Sequence, residues 1–359
     1  MNSIRIAVDA MGGDNGHEVV IKGAINAISA SPVKIILIGD EKKIADALSK
    51  YKYNGDDIEI LHASEEISMH DSPKKSVESK PNASVVVAAR LVGEGKADAL
   101  VSAGSTGSVV LSAAKYIPRI SDVRRTAIAT VFPTMNELKR DDFFSFLLDV
   151  GANIHCSAEE LAQFAIMGSA YVSDVRGIPN PKVALLNIGE ESSKGGDKMK
   201  EAYRILNNIK SLNFVGNIEG KDILRGVVDV IVTEGFVGNI VIKTLEGASK
   251  TVGRLGKLAF KTKISWKLGL FMLRKGINFV KKVTDYSEYG GAPLLGFEKM
   301  VIIAHGRSNA KAIGNAIKLA GKCVSDDVCG HISTNIHNFE REPEHEYTRL
   351  ATKRYRSEN

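Results

Sequence analysis

Seven short runs of small and polar residues in this 359-residue chain have the composition of anion-holding loops. They read Asp9-Ala10-Met11-Gly12-Gly13-Asp14-Asn15, Ala103-Gly104-Ser105-Thr106-Gly107-Ser108, Val150-Gly151-Ala152-Asn153, Ile188-Gly189-Glu190-Glu191 leading into Ser192-Ser193-Lys194-Gly195-Gly196, Asn217-Ile218-Glu219-Gly220, Glu234-Gly235-Phe236-Val237-Gly238-Asn239, and His305-Gly306-Arg307-Ser308-Asn309. Glycine lets backbone N–H groups close on a negative group, and a helix N-terminus adds a favourable dipole. Hydroxyls add donors and basic side chains add charge. A single such run is ordinary strand-to-helix punctuation. Seven together, with Lys194 and Arg307 among them, point to a site for a phosphate-sized anion.

Several other chemistries are excluded by pattern. No run reads G-x-x-x-x-G-K-[ST], and Gly104-Ser105-Thr106-Gly107 lacks the G-x-G-x-x-G order of a dinucleotide fingerprint. No G-x-S-x-G nucleophile elbow is present. Cys156 follows His155, but adjacent residues on one element do not face each other, so the pair is not read as a thiol nucleophile and its base. His331, His337 and His345 lack metal-ligand spacing, and no metal or cofactor is expected. Asp9 and Asp149 end candidate strands, and we read them as turn caps in preference to metal ligands.

The elements that would position these loops alternate along the chain. β-Branched apolar runs over 4–8, 33–38, 58–62, 99–102, 127–131, 146–149, 183–187, 214–216, 228–233 and 301–304 predict strands; most are continuous rather than alternating, as in strands covered on both faces. Helical patterns lie between them, including 19–29, 84–94, 158–172, 197–207 and 309–322. The alternation predicts a three-layer α/β/α sandwich with a mostly parallel sheet. Ligands of such folds bind outside the carboxyl ends of the strands, so the seven loops are expected on one sheet edge. Residues 1–324 form the domain, interrupted by a basic segment over 247–284; residues 325–359 read as a polar, loosely ordered tail.

Net charge is +6, and its location is more informative than its value. Ten Lys or Arg and no Asp or Glu lie between Gly247 and Thr284, and the rest of the chain carries a slight excess of acid. Trp266, Leu270, Leu273, Ile277 and Val280 make a helical stripe there, with further apolar residues off it. With bulky aliphatics among the cations and no recognised nucleic-acid module, nucleic acid is not the expected partner. Three scattered cysteines, no signal peptide and no bilayer-length apolar run lead to an expected cytoplasmic location.

The order of the loops resembles the bacterial phosphate acyltransferase family of phospholipid synthesis. The resemblance is carried by residues 8–14, 103–107, 148–153, 186–190, 233–239 and 305–308, and it spans 4–322. It implies a fold like phosphotransacetylase and the isocitrate-type dehydrogenases, a homodimer, and transfer of a long-chain acyl group from acyl carrier protein to inorganic phosphate. Phosphate is then itself the nucleophile, which fits the missing Ser–His and Cys–His sets. On this reading Lys194 and Asn239 serve phosphate and the oxyanion. Gly104, Ser105, Thr106 and Gly107 cradle phosphate, with Asn187, Asn217, His305 and Arg307 as further binding candidates. Lys194 is followed by Gly195-Gly196-Asp197 where the family pattern has Gly-Asn.

The basic segment then has three readings. It is a hairpin at a dimer interface, a dock for the acidic carrier protein, or a peripheral contact with an anionic membrane surface, where the product would pass to a membrane glycerol-phosphate acyltransferase. We read carrier docking and membrane contact together, through Lys257, Lys261, Lys263, Trp266, Lys267, Phe271, Arg274 and Lys275. The rival readings are a phosphotransacetylase-like enzyme using acyl-CoA and a non-catalytic phosphate- or acyl-binding regulator.

Overall fold

The computed structural model describes residues 3–140, 142–262 and 289–341, with Trp266, Gly269, Met272 and Leu273. The apolar runs form strands β1 (Ile4–Asp9), β2 (Val33–Gly39), β3 (Ile58–His62), β4 (Ala99–Ser102), β5 (Ala127–Pro133), β6 (Phe144–Leu148), β7 (Val183–Leu186), β8 (Phe214–Ile218), β9 (Val230–Val232), β10 (Ala292–Leu295) and β11 (Met300–Ile303). Between them lie α1 (His17–Ile28), α2 (Glu41–Leu48), α3 (Pro73–Ser79), α4 (Ser84–Gly93), α5 (Thr106–Tyr116), α6 (Ala158–Arg176), α7 (Gly196–Asn208) and α8 (Gly235–Thr262), and the described chain ends with α9 (Ala310–Ser325) and α10 (Val328–Glu340).

Local chemistry sets the helix ends. Ser157 and Glu160 close a capping box at the start of α6, and Gly177 ends that helix in the left-handed region at φ 67°. Asn309 caps α9 by accepting from the Ala312 amide.

One sheet of eleven strands, ordered β3-β2-β1-β4-β11-β10-β5-β6-β9-β7-β8, runs through the described molecule. Alternating strand residues divide the core between its two faces. Ile6, Val8, Leu37, Phe146 and Leu148 meet α1, α2, α6, α7, α9 and α10 on one side. On the other side Ala7, Ile38, Leu100 and Val301 meet α4 and α5, while Leu147, Ala184 and Ile231 meet the first turns of α8. The chain is thus the three-layer α/β/α sandwich expected.

The sheet is mostly parallel, as expected, but its direction reverses between two halves. β1, β2, β3, β4 and β11 are mutually parallel, and so are β6, β7, β8 and β9. The two sets are joined through antiparallel pairings of β11 with β10, β10 with β5, and β5 with β6. The chain direction therefore reverses between the halves, and the seven loops do not share one sheet edge. Those after β1, β4 and β11 form one group, and those after β6, β7, β8 and β9 form another. Five strand-to-strand steps separate β4 from β9. At roughly 20–25° a step, the twist turns the two sets of strand ends through about 100–125°, toward each other rather than back to back.

The tail reading is also corrected over part of its length. Val328, Ile332, Ile336 and Phe339 are buried, and α10 packs on α6. Gln163 of α6 donates to the Glu340 carboxylate at 2.9 Å in the interior. Burial of one apolar stripe outweighs the polar residues that dominate this stretch by count. Residues 342–359 lie outside the described part.

Candidate functional site

The first group of loops is built around Asp9. The Ser102 hydroxyl donates to its Oδ2 at 2.6 Å and accepts from the Gly104 amide at 3.0 Å, tying the end of β1 to the end of β4. Burial pushes the Asp9 carboxyl above its ordinary value, while hydrogen bonds from Ser102, Ser84 and the Met11 and Gly12 amides pull it back. Gly12 lies so close to the Gly104 backbone that an added Cβ would sit 2.7 Å from the Gly104 nitrogen. The Asp14 amide donates to the Gly306 carbonyl at 2.7 Å, and Asn15 donates to the Ser308 carbonyl at 2.9 Å, bringing in the β11 loop.

Within this group Gly104 and Gly107 have packing roles of their own. Gly104 is buried with its amide committed to Ser102, and Gly107 faces Pro73. Ser105 caps α5 by accepting from the Ser108 amide, and Thr106 is exposed at the first turn. The Arg307 amide donates to His305 Nδ1 at 3.0 Å, so that nitrogen carries no proton. Burial holds His305 below its ordinary value; Glu246 opposes this, while Lys243, Lys250 and Arg307 add to it. Glu246, Lys243 and Lys250 lie on α8, so the outer side of α8 runs alongside the β11 loop. Arg307 itself is exposed, with its Nε 3.9 Å from Asp14.

The second group is organised by Asp149, which is fully buried. Its Oδ1 accepts from the amides of Ile128, Gly151 and Ala152 at 3.1, 3.0 and 3.0 Å. Its Oδ2 accepts from the amide and the side-chain nitrogen of Asn153, both at 2.8 Å. The carboxylate thereby folds the 149–153 loop, the turn-capping role expected of it. α8 begins directly on this loop: an added Cβ would lie 2.0 Å from the Asp149 carbonyl oxygen at Gly238 and 2.3 Å from the Asn153 carbonyl at Gly235. Only glycine permits that approach, which sets Asn239 over Gly151.

The β7 loop is pinned from both sides. Asn187 donates to the Lys194 carbonyl at 3.2 Å and accepts from the Ile188 amide, and Asn217 donates to the Glu191 carbonyl at 2.9 Å. Both side chains, expected to meet substrate, are therefore committed to the loop backbone, with Asn217 Oδ1 left buried and without a partner. Gly195 takes φ +89° where a side chain would strike Asn187. Lys198 of α7 pairs with Glu234 after β9. Lys194 and Asn239 are exposed and hold no partner. They follow adjacent strands, since Leu185 of β7 stands opposite Val232 of β9.

Beyond its first turns α8 leaves the body, with Val252, Leu255 and Leu258 exposed. Lys257 and Lys261 are in the helix, and Trp266 is helical and exposed. Lys263, Lys267, Phe271, Arg274 and Lys275 fall outside the described residues. Cys156 is buried and its thiol is pushed up to about 12, chiefly by that burial, which agrees with leaving it out of the chemistry. Among the described residues no cluster has the makings of a metal site, and no helix is long and apolar enough to cross a membrane.

Sequence reasoning missed Ser102, the hydroxyl that joins Asp9 to Gly104. Its only signal was a polar residue closing an apolar strand.

Comparison with known proteins converges on one group. A family model described as fatty acid synthesis protein matches residues 4–331. The chain is 47% identical over 327 residues, 90% of its length and 95% of the relative's, to a protein from Dictyoglomus turgidum named phosphate acyltransferase. It is 44% identical over 336 residues, covering 93% and 99%, to one of the same name from Halothermothrix orenii. Among solved structures, a phosphotransacetylase from Streptococcus pyogenes aligns with TM-score 0.62 at 19% identity, covering 90% of this chain and 94% of that one. The EutD phosphotransacetylase from Staphylococcus aureus aligns with TM-score 0.58 at 20% identity, with the same coverage. At these identities the structural likeness is one of fold.

Proposed function

We propose, from the premise that the chain belongs to the fatty acid synthesis protein family and is an acyltransferase, that it moves a long-chain fatty acyl group from acyl carrier protein to inorganic phosphate. A phosphate oxygen attacks the thioester carbonyl carbon, a C–O bond forms, and the carbonyl oxygen becomes an oxyanion. Collapse breaks the C–S bond, and the leaving thiolate takes up a proton. The products are acyl phosphate and free carrier protein.

Two requirements follow, and one observation carries the assignment. Holding phosphate and thioester within attack distance can lower the barrier by about 7–11 kcal/mol. A preorganised donor at the oxyanion is worth about 2.7–4 kcal/mol. The reading is supported by the unpartnered ammonium of Lys194 and carboxamide of Asn239, exposed on loops that leave neighbouring strands. We assign Lys194 to phosphate or the polarised carbonyl and Asn239 to the oxyanion. Thr106 and Arg307 offer phosphate a hydroxyl and a positive charge from the other half of the sheet, with His305 as a neutral donor.

The projecting part of α8 supports a role for a macromolecular donor. Its exposed Val252, Leu255 and Leu258 alternate with Lys250, Arg254 and Lys257. An acidic carrier protein and an anionic membrane surface are the contacts we assign to it, and the chain is taken to act as a homodimer. The acyl phosphate would then pass to a membrane glycerol-phosphate acyltransferase in phospholipid synthesis.

The test is phosphate-dependent release of free carrier protein from palmitoyl-carrier protein. The wild type should turn over, and Lys194→Ala and Asn239→Ala should each lose about 10²–10³-fold in kcat while keeping the fold. Turnover with acyl-CoA alone would move the donor assignment to the coenzyme. Full activity in both variants would discard these two residues as catalytic.

A further inference from the structure

Three bulky apolar side chains stand in solvent beside the polar groups of the second loop cluster. Ile188 is 80% exposed, Phe236 55% and Ile240 50%. Single exposed apolar residues are ordinary on a protein surface, but these are grouped. Phe236 and Ile240 are four apart on α8, so they lie on one face with Cβ atoms about 5–6 Å apart. Asn239 shares that face, three residues after Phe236. The opposite face is the one committed to the core, through Val237, Val241, Ile242 and Leu245. Ile188 arrives from the next strand, three residues after Leu185, which stands opposite Val232, four residues before Phe236.

We propose that Phe236, Ile240 and Ile188 are the surface on which the first methylenes of the substrate's acyl chain lie. This rests on the acyl-transfer reading of the same site. If the thioester carbonyl is at the Asn239 carboxamide, its chain must depart from that point, and the apolar groups flanking Asn239 are Phe236 and Ile240. The strip is small. Three side chains of this exposure offer about 300 Å², within the few hundred Å² typical of a functional patch. A stable contact with another protein needs about 800 Å² per partner. Lys243 and Lys194 bound the strip on its polar sides, so its size and chemistry fit an alkyl chain ending in a polar carbonyl. Past Ile240 the exposed face turns to Lys243, Thr244 and Gly247, so the strip serves the chain near the thioester rather than its far end.

The experiment is calorimetric binding of butanoyl, hexanoyl and octanoyl thioesters of pantetheine to the full chain without phosphate. A fully buried methylene is worth about fourfold in affinity; a chain lying on an open strip should gain roughly twofold per methylene. The double variant Phe236→Ala/Ile240→Ala should flatten that gain to nearly none. Ile240→Leu alone, which keeps an apolar side chain there, should retain it, and Leu255→Ala, farther along the same helix, should leave it at the wild-type value. The inference is overturned if the double variant keeps the wild-type gain, or if the wild type binds all three thioesters equally or not at all. It is also overturned if the double variant changes only the oligomeric state in sedimentation, with the gain unaltered, for the strip would then lie between copies. A wild type that binds with the expected gain but releases no thiol when phosphate is added leaves the strip in place and removes the reaction.

Discussion

Replacing Asp149 by Asn changes one atom in a fully buried side chain and should nevertheless be among the most damaging substitutions in the molecule. The carboxylate accepts five hydrogen bonds, three at Oδ1 and two at Oδ2. An asparagine offers one acceptor oxygen and one donor nitrogen. Whichever way the amide turns, at least two N–H groups then face its –NH2 instead of an acceptor. Hydrogen bonds to a charged group are worth about 1.5–3 kcal/mol each, so the loss is about 3–6 kcal/mol before any penalty for crowding donors. Domains of ordinary stability hold about 5–15 kcal/mol in all. Urea unfolding followed by circular dichroism measures the change directly, with the midpoint falling and the slope unaltered. Hydrogen exchange should quicken first at the amides of Ile128, Gly151, Ala152 and Asn153. A loss below about 1 kcal/mol, with those amides still protected, would refute this account of how the loop is held.

Two further outcomes test other parts of the structure. Ile336→Ala, which removes one of the four buried apolar side chains of α10, should cost about 2–5 kcal/mol in urea unfolding; a cost near zero would mean that the helix does not dock on α6. Burial holds His305 below its ordinary value of 6.5, so the folded protein binds this proton less readily than the unfolded chain. Its contribution to stability is therefore present above 6.5 and lost as pH falls through the window beneath it. Nitrogen NMR should show the proton on Nε2 and a midpoint under 6.5, and a midpoint above 6.5 would contradict the hydrogen bond from Arg307.

What could be read from the sequence and what could not follows from the kind of signal each feature carries. The strands beneath the loops announce themselves because both faces are buried, and a run such as Ile35-Ile36-Leu37-Ile38 has few other uses. Direction is a different matter. An apolar run reads the same whether its neighbour runs parallel or antiparallel, so nothing in β6 or β9 tells that their half of the sheet points the other way. β10 is only four residues long and ends at Gly296, where φ is +103°; too short to show a pattern, it supplies part of the reversal. α10 did carry a signal, with Val328, Ile332, Ile336 and Phe339 on steps of four, four and three, diluted by histidine, serine and asparagine between them. Within the site, residue types pointed to Asn187 and Asn217 as readily as to Asn239. Only the backbone partners of the first two separate groups that hold a loop from a group that faces solvent.

The reversal of the sheet bears on how two such different substrates could meet. Had all seven loops opened from one edge of a parallel sheet, phosphate and thioester would compete for one row of helix starts. With the halves opposed and the twist bringing their ends around, each half can present its own set of groups to the reaction. The first half holds its loops through the Asp9–Ser102 pair and offers Thr106, His305 and Arg307. The second holds its loops through Asp149 and offers Lys194, Asn239 and the apolar strip. Each half thus has one buried acid organising backbone and a separate, solvent-facing group of side chains. In the proposed reaction the small dianion is held chiefly by the first half and the acyl thioester by the second. Lys194, exposed on the β7 loop, is the cation that the proposal gives to the developing negative charge. On this reading, while Glu190 of the β7 loop pairs with Lys221, the same loop keeps the Lys194 ammonium out of any ion pair. A fixed ion pair there would hold the loop more firmly, but it would leave the oxyanion and the incoming phosphate without that charge when they form a bond.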